Sequence, residues 1–444
     1  MHFSKEDCLK FVEENDVRFI RLQFTDIFGR MKNIAITDKQ LSNAFENGIM
    51  FDGSSVAGFA GVEASDMLLF PNPETFTVMP WRPQQGKVAR IICDIKKHDG
   101  TQFEGDPRYI LKRTLQKAEQ LGYVFQVGPE CEFFLFHTDD EGRPTTITHD
   151  TASYCDLAPI DLGENARREM CLTLEEMGFE IEASHHESAT GQHEIDFRYT
   201  DALTAADNIM TFKLVVKIMA QHNGLHATFM PKPLPGVSGS GMHINMSLTQ
   251  DGINLFDKDK EEDQSDISDT AKQFAAGLLK HIKGITAIAN PLVNSYKRLT
   301  PGFEAPVHIA WAPMNRSPLL RVPTPRGEGT RLELRSPDPT CNPYLTLALL
   351  LEAGLEGLNK GLKLPKPVNV NIYNLSPQQE KRLKIDRLPS NLFVALEEMK
   401  KDQLIRSTVG DHIFNKYYSA KMSEWEDYDN AIHPWEINKY LKSF

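Results

Sequence analysis

The first hundred residues alternate apolar and polar positions in short runs, the pattern typical of β-strands. Runs rich in β-branched and aromatic residues cover positions 17–24 and 31–36, and the sequence DIFG at 26–29 has the composition of a turn. A further strand is predicted over residues 87–94, whose sequence is KVARIICD. The N-terminal part of the chain is therefore predicted to form a sheet.

Apolar residues recur with helical spacing only beyond this region. Asp106 is a suitable N-cap, Pro107 suits the first helical position and Gly122 suits the end of the helix. Further helices are predicted over residues 163–177 and 208–222. Because 444 residues exceed what one core ordinarily supports, we expect two units, residues 1–103 and 104–444, divided at the loop-forming positions 98–106.

The segment Gly128 to Phe136 combines acidic residues with a strongly apolar background. Side chains two apart point to the same face of a strand, so Glu130 and Glu132 project together. Two neighbouring carboxylates in such a strand would repel each other unless a cation lay between them. The alternative is an edge strand with solvated glutamates.

Two other segments alternate in the same way, with polar residues on one face and apolar residues behind them. They are His243, Asn245 and Ser247 in the first segment, and Arg331, Glu333 and Arg335 in the second. Arginine beside glutamate is also the pattern of a surface ion-pair ladder. Several polar strand faces together nevertheless favour a sheet that lines a wet cavity. Oxygen ligands with a single imidazole favour Mg²⁺ or Mn²⁺ over zinc.

Two nearby segments, 182–187 and 191–194, add the carboxylates of Glu182, Glu187 and Glu194. His185 and His186 resemble a metal motif but fall on opposite faces of an extended chain, which favours a structural or supporting role. Glycines at 236, 239 and 241 would let the backbone approach a ligand closely, but they form no Walker A loop.

Composition narrows the function classes. The net charge of −12 argues against nucleic acid as the main partner. Six scattered cysteines without a CxxC pair are typical of reduced thiols, so neither zinc nor an iron–sulfur cluster is expected. The chain contains no apolar run long enough for a membrane span and no signal-peptide pattern at its start, so a cytoplasmic location is expected.

Several motifs resemble a known family over nearly the whole chain. The segments that carry the resemblance are 51–55 (FDGSS), 128–136, 183–194, 239–243 (GSGMH), 294–299 (NSYKRL), 315–317 (NRS) and 331–335 (RLELR). Together they resemble type I glutamine synthetases, and the spacing of Glu187 and Glu194 resembles the shorter Gram-positive (alpha) class. The resemblance implies an α+β fold of the glutamine synthetase/guanido kinase type. An N-terminal β-grasp domain would precede a larger catalytic domain, built on a curved antiparallel sheet with flanking helices.

The resemblance also implies roles for individual residues. One metal would be bound by Glu132, Glu187 and Glu194, and the other by Glu130, His243 and Glu333. Glutamate would be bound by Gly239, Arg298, Glu304, Arg316 and Arg335. ATP would be bound by Glu182, Asn245, Ser247, Arg316, Arg321 and Arg331. The ions would be Mg²⁺ or Mn²⁺, two or more per subunit, with ATP as the co-substrate.

The family mechanism implies that ATP first phosphorylates the γ-carboxylate of glutamate, and that ammonia then displaces phosphate. Asp52, helped by Ser55, Tyr154, Glu187 and Glu304, would bind ammonium and take its proton. Glu304, in a loop bracketed by Pro301 and Pro306, would close over the intermediate, and Arg316 would face the phosphate.

Family resemblance further implies a homododecamer of two six-membered rings, in which Asp52 serves a neighbouring subunit. It implies feedback inhibition and a sensing role through nitrogen-regulating transcription factors. Three positions depart from the family pattern. Ser238 replaces a usual Asn, Gly61 stands where regulated members tend to carry Arg, and Tyr373 aligns with the tyrosine adenylylated in the longer class.

Two rival functions remain open from the sequence. A γ-glutamyl-polyamine ligase would share the scaffold, but Asp52, Ser55 and Glu304 favour ammonium as the nucleophile. A non-catalytic structural or nitrogen-sensing relative is disfavoured because all six metal ligands and the arginines are present.

Overall fold

The structure, a computed structural model, describes residues 3–61, 65–258, 267–302, 305–324 and 326–444. Its helices are α1 (Lys5–Glu14), α2 (Leu41–Asn47), α3 (Pro107–Gln120), α4 (Glu164–Glu176), α5 (Ala202–His222), α6 (Asp269–Ala289), α7 (Ser295–Arg298), α8 (Pro343–Asn359), α9 (Pro377–Leu383), α10 (Leu392–Lys401), α11 (Gln403–Asp429) and α12 (Pro434–Tyr440).

Its strands are β1 (Val17–Thr25), β2 (Met31–Thr37), β3 (Ile49–Asp52), β4 (Asp66–Pro71), β5 (Thr77–Val78), β6 (Lys87–Lys97), β7 (Val124–Thr138), β8 (Pro144–Thr148), β9 (Ile181–His186), β10 (Gln192–Phe197), β11 (Thr200–Asp201), β12 (Leu225–Thr228), β13 (Met242–Gln250), β14 (Ile253–Asn254), β15 (His308–Ile309), β16 (Trp311–Pro313), β17 (Leu320–Val322), β18 (Leu332–Leu334) and β19 (Asp386–Arg387).

The N-terminal sheet has the strand order β2-β1-β6-β4-β3, and β5 pairs with β6. Strands β1 and β6 are parallel, whereas the other pairs are antiparallel. Sequence alternation predicted β1, β2 and β6 correctly but missed helices α1 and α2. Helix α1 begins with a capping box, in which the Asp7 N–H donates to Ser4 Oγ and the Ser4 N–H donates to the Asp7 carboxylate. Both helices are short, which leaves little periodicity to detect.

The larger sheet is organised around β7, its longest strand. The strand order is β16-β17-β18-β13-β7-β10-β9, with β8, β11 and β12 also pairing with β7 and β14 with β13. The curved sheet was expected to be antiparallel, but β16 and β17 pair in parallel, so the sheet is mixed. Each of these two strands has only three residues. The chain between them therefore has only a short distance to cover to reach the end of the sheet at which β16 began, so that β17 can run in the same direction.

Helices cover the apolar side of this sheet. Cys131, Phe133 and Leu135 of β7 are fully buried against them, as the alternation of the sequence predicted. Helices α6 and α8 cross closely because both carry glycine at the contact. A Cβ atom on Gly277 would lie 2.0 Å from the carbonyl oxygen of Ala353. The polar side of the sheet is thereby left as the wall of a cavity.

Two predicted helices need comment. Helix α4 agrees with the predicted span of 163–177 within one residue at each end. Helix α5 begins at Ala202 and not at residue 208, because the Asp201 carboxylate caps it by accepting the N–H groups of Leu203 and Thr204. Among the described helices, none combines the length and apolar composition needed to cross a bilayer.

Candidate active site

Three adjacent strands bring one imidazole and two carboxylates together. Strand β13 lies between β7 and β18, so His243 stands opposite Glu130 while its neighbour Asn245 stands opposite Glu333. His243 Nδ1 lies 3.1 Å from Glu130 Oε2 and 4.0 Å from Glu333 Oε1. Burial and the charge of Arg335 lower the pKa of His243, which favours the neutral imidazole that binds metals.

A second group forms where β10 lies between β7 and β9 and at the turn that joins β9 to β10. Ligand atoms of His185, Glu187 and Glu194 lie within 4.8 Å of one another, and Glu132 stands opposite Glu194 in the sheet. His185 Nδ1 lies 3.4 Å from Glu187 Oε1. The sequence had suggested a structural or supporting role for His185, but the structure includes it among the groups that could hold a metal.

The acidic residues of this second group have too little positive charge nearby to neutralise them. Burial, followed by the charge of Glu187, raises the pKa of Glu132 to about 8. Burial, followed by the charge of Glu132, raises the pKa of Glu194 well above its ordinary value. Burial also raises the pKa of Asp196 to about 6. A divalent cation would favour the ionised carboxylates, and a donor set of oxygens with imidazole fits Mg²⁺ or Mn²⁺.

The first group is better neutralised by its surroundings. Burial opposes the ionisation of Glu130, but hydrogen bonds with His243 and Asn245 outweigh it and lower the pKa to about 2. Arg321 donates to one oxygen of Glu333 at 2.6 Å, and Arg335 donates to the other. Positive charge therefore surrounds the acidic groups on one side.

Arg298 lies against the glycine-rich segment that precedes β13. Its guanidinium donates to the carbonyl oxygens of Ser336, at 2.7 Å, and of Arg335, at 3.0 Å. A Cβ on Gly241 would lie 2.3 Å from Arg298 Nη2, and a Cβ on Gly239 would lie 2.2 Å from the carbonyl oxygen of Pro231. Gly241 thus leaves room for the buried guanidinium of Arg298 and Gly239 leaves room for the Pro231 carbonyl, reasons that the sequence alone did not supply.

Two adjoining cavities open on this sheet face. The catalytic cavity, of about 360 Å³, contains both acidic groups and is also lined by Tyr154, Gly239, Arg298, Arg316, Arg321 and Arg335. The second cavity, of about 380 Å³, is lined by Glu182, Asn245, Ser247 and Arg331, the residues predicted to bind ATP, and is called the nucleotide cavity for that prediction. Glu130, Asp196 and Arg331 line both cavities, so the two cavities share part of their walls.

Sequence reasoning missed some residues of these cavities. Asp196 follows Glu194 by two positions on β10, so strand alternation could have identified it. Gln126, Tyr199 and Thr330 line the nucleotide cavity but carried no motif that would distinguish them.

Three of the predicted catalytic residues, Asp52, Ser55 and Glu304, need separate comment. Asp52 and Ser55 lie in the N-terminal unit, and neither lines the two cavities within the described residues. Ser54 and Ser55 each donate a hydroxyl to Asp52 at 2.6 Å, and these bonds lower the pKa of the exposed Asp52 carboxyl. Glu304 falls outside the described residues.

A buried polar network supports the hairpin that carries Glu187 and Glu194. Asp150 Oδ1 accepts a hydrogen bond from the Gly191 N–H at 3.0 Å and lies 3.0 Å from His186 Nε2. His186 Nδ1 lies 2.7 Å from the carbonyl oxygen of Glu187. The structural role predicted for His186 agrees with this position.

Comparison with known proteins is consistent with this geometry. A family model described as "Glutamine synthetase, beta-Grasp domain" matches residues 16–98, and one described as "Glutamine synthetase, catalytic domain" matches residues 104–440. A glutamine synthetase of Clostridium saccharobutylicum is 60% identical over 442 residues, covering 100% of this chain and 99% of that protein. One from Staphylococcus aureus strain N315 is 54% identical over 443 residues, covering 100% of this chain and 99% of that protein.

Solved structures are similar over the same length. A structure named "GmaS/ADP complex-Conformation 1" has a TM-score of 0.88 and 30% identity, covering 98% of this chain and 99% of that one. A cryo-electron microscopy structure of Plasmodium falciparum glutamine synthetase has a TM-score of 0.88 and 25% identity, covering 99% of each chain.

This fold and this site define a ligase that uses ATP and a divalent metal. The chain belongs to the glutamine synthetase family. Its reaction joins ammonia to glutamate to form glutamine at the expense of ATP. The predicted fold class, a β-grasp domain followed by a catalytic domain, is confirmed, with the correction that the catalytic sheet is mixed.

Proposed function

We propose that the chain makes glutamine in two steps within the catalytic cavity, by way of γ-glutamyl phosphate. In the first step an oxygen of the glutamate γ-carboxylate attacks the γ-phosphorus of ATP, and the bond to the ADP oxygen breaks. In the second step ammonia attacks the acyl carbon, and inorganic phosphate leaves. The similar structure named as a GmaS complex contains ADP, the nucleotide that the first step would release here.

The proposal depends above all on one observation, the convergence of Glu130, His243 and Glu333 within 4.8 Å. We assign these residues to one divalent cation, and Glu132, Glu187 and Glu194 to another. Mg²⁺ or Mn²⁺ would suit both ligand sets, with two or more ions per subunit. Bound there, the ions would neutralise charge on the phosphates.

Basic residues on the other walls would bind the substrates. Arg298, Arg335 and the backbone at Gly239 would hold glutamate, together with Arg316 and Glu304. Arg316 and Arg321 would stabilise charge on the transferring phosphoryl group. The remaining ATP contacts would come from Glu182, Asn245, Ser247 and Arg331. Support comes from the position of the others, Glu304 apart, in the walls of two adjoining cavities.

The second step needs a base for ammonium. We assign this role to Asp52, whose pKa is lowered by hydrogen bonds from Ser54 and Ser55, so that it is ionised and attracts the cation. Ser55, Tyr154 and Glu187 would help to bind ammonium. Glu304 would close the site and exclude water from the acyl phosphate.

Asp52 is exposed and does not line the catalytic cavity of its own chain in the described residues. We therefore propose that it serves a neighbouring subunit in a homo-oligomer, a dodecamer of two hexameric rings. We further propose a division of the chain at 103/104, a cytoplasmic location and a sensing role through transcription factors that bind the feedback-inhibited enzyme. Modification of Tyr373 is not part of this proposal.

The most direct test is ATP-dependent formation of γ-glutamyl hydroxamate from glutamate and hydroxylamine, followed by glutamine formation with ammonium. Wild type should support both reactions, and Glu333→Gln should support neither. The exposed surface variant Glu119→Gln controls for the loss of a carboxylate. Full activity of Glu333→Gln at limiting Mg²⁺ would overturn the metal assignment.

A further inference from the structure

A second polar cavity lies behind the arginines of the catalytic cavity. This outer cavity has a volume of about 420 Å³, and Arg316 and Arg335 line both it and the catalytic cavity. Its other walls come from the segments 315–317 and 369–373. The residues that form these walls are Asn315, Ser317, Asn369, Asn371 and Tyr373. The two arginines thus stand between the place of phosphoryl transfer and a separate polar space.

The two cavities differ in charge. The catalytic cavity contains the carboxylates of Glu130, Glu132, Glu187, Glu194, Asp196 and Glu333 beside its arginines. Among the described residues, the lining of the outer cavity contains two arginines and no carboxylate. An anion that leaves the first cavity would therefore find a more favourable electrostatic environment in the second.

The walls of the outer cavity are held in place by their own hydrogen bonds. Asn315 Nδ2 donates to the carbonyl oxygen of Val370 at 3.0 Å, and the Ile372 N–H donates to Ser317 Oγ at 3.2 Å. Asn371 Oδ1 accepts from the Tyr373 N–H at 3.1 Å. These bonds join the segments 315–317 and 370–373 into one frame, and they occupy acceptor atoms.

The groups that remain available to a ligand in the outer cavity are hydrogen-bond donors. Arg335 is 7% exposed, and its Nε has no hydrogen-bond partner in the part of the chain that the structure describes. Asn369 lines the cavity with an exposed side chain, and its amide forms no hydrogen bond within the same residues. This Nε is enclosed by protein atoms, so the donors offered to the cavity come from the rest of the Arg316 and Arg335 guanidinium groups and from the Asn369 amide.

We propose that the outer cavity receives inorganic phosphate as it leaves the catalytic cavity. The proposal rests on the proposed function, in which phosphate is released beside Arg316. While ADP occupies the nucleotide cavity, phosphate cannot leave through it, and much of the remaining lining of the catalytic cavity consists of the metal-binding carboxylates. Arg316 and Arg335 line both cavities. Each guanidinium can therefore contact phosphate first in the catalytic cavity and then in the outer cavity, so the anion keeps an arginine partner as it moves.

The test uses charge changes at Asn369, which has no role in the proposed chemistry. Asn369→Asp should raise the inhibition constant of phosphate as a product, and the KM of phosphate in the reverse reaction from glutamine and ADP, by about threefold to tenfold. Asn369→Lys should lower both constants. Asn359→Asp and Asn359→Lys make the same changes at an exposed position on another surface and should leave both constants unchanged.

Each outcome is decisive because wild-type turnover is measured in parallel. Absence of glutamine formation by wild type would refute the proposed function itself. An active wild type whose phosphate constants do not move with either Asn369 variant would refute the outer cavity as a phosphate site. A shift in the KM of glutamate, with the phosphate constants unchanged, would identify the cavity as a route for glutamate and would equally overturn the proposal.

Discussion

The fold buries charged groups in two regions, and it neutralises them differently. Where the N-terminal sheet meets the helices of the larger unit, Arg108 donates to both oxygens of Asp207, at 3.0 and 2.9 Å, and to Asp94 at 2.7 Å. Lys112 donates to the other oxygen of Asp94, and the Tyr344 hydroxyl donates to Asp207, each at 2.7 Å. Burial opposes the ionisation of Asp94, but Arg108 and Lys112 outweigh it and lower its pKa.

In the second acidic group of the catalytic cavity the balance is reversed. Glu132 receives hydrogen bonds from the Gly241 N–H and the Gln192 amide, both at 2.9 Å, yet its pKa is raised to about 8. The pKa of Glu194 is raised as well. Asp94 and Asp207, which the chain neutralises with Arg108 and Lys112, serve the fold, whereas the clustered carboxylates of Glu132 and Glu194 are left in excess and would be neutralised by a cation.

The largest expected effect is on activity. Glu132→Gln removes a proposed metal ligand and should reduce glutamine formation by more than about a hundredfold, since even residues behind metal ligands cost roughly 10- to 100-fold. In the absence of metal, the variant should be at least as stable as wild type, because it removes a carboxylate from a crowded group. Steady-state kinetics and urea unfolding in EDTA measure the two effects. A variant that is both active and less stable would reverse the comparison.

The opposite pattern is expected in the neutralised region. Arg108→Met removes the guanidinium that Asp94 and Asp207 share, leaving Asp94 only Lys112 and the buried Asp207 only the Tyr344 hydroxyl, and should lower the free energy of unfolding by about 3–5 kcal/mol. Arg143→Met, which breaks only exposed ion pairs with Asp139 and Glu141, should change the free energy of unfolding by less than about 1 kcal/mol. Urea unfolding in EDTA compares them. Equal losses for both variants would show that the Arg108 cluster has no special role.

A smaller effect should follow from the network behind the second acidic group. Asp150→Asn weakens the support of the hairpin between His186 and Gly191, so the Mg²⁺ concentration for half-maximal activity should rise about tenfold. Saturating metal should restore most of the maximal rate. The exposed variant Asp140→Asn is the control. A fall in the maximal rate that metal cannot correct would indicate a general structural defect instead.

The effect of pH is the smallest when it is expressed per pH unit. Burial raises the pKa of Glu132 from its ordinary 4.5 to about 8, so between these values the folded state retains a proton that the unfolded state has lost. Stability of the metal-free protein should therefore fall as the pH rises from about 5 to about 8, by about 1 kcal/mol per unit at most. Saturating Mn²⁺ should remove this dependence. Urea unfolding at several pH values checks the slope, and a metal-free stability that rises across this range would contradict the assignment.

Strand alternation was sufficient to predict which side chains share a face. It paired Glu130 with Glu132 and His243 with Asn245, because the period of a strand is fixed by its backbone. It could not predict that β13 lies between β7 and β18, since the order of strands depends on packing of the whole sheet. That order is what brings Glu333 to His243.

Other features depended on contacts between distant segments. Helix α1 is only ten residues long, so its apolar stripe was too short to recognise. The need for Gly241 follows from the position of Arg298, which is far away in the sequence. The parallel pairing of β16 with β17 likewise follows from the loop between them and not from their composition.

Calorimetric titration of Mn²⁺ into the metal-free protein at about pH 7 is the most direct test of a cation site among the buried carboxylates. Carboxylates with raised pKa values must lose protons when the cation binds, so wild type should release protons. The observed heat should then depend on the ionisation enthalpy of the buffer, and Glu132→Gln should reduce that dependence. Binding with a heat that is identical in buffers of different ionisation enthalpy would contradict the claim that the buried carboxylates are held for a cation.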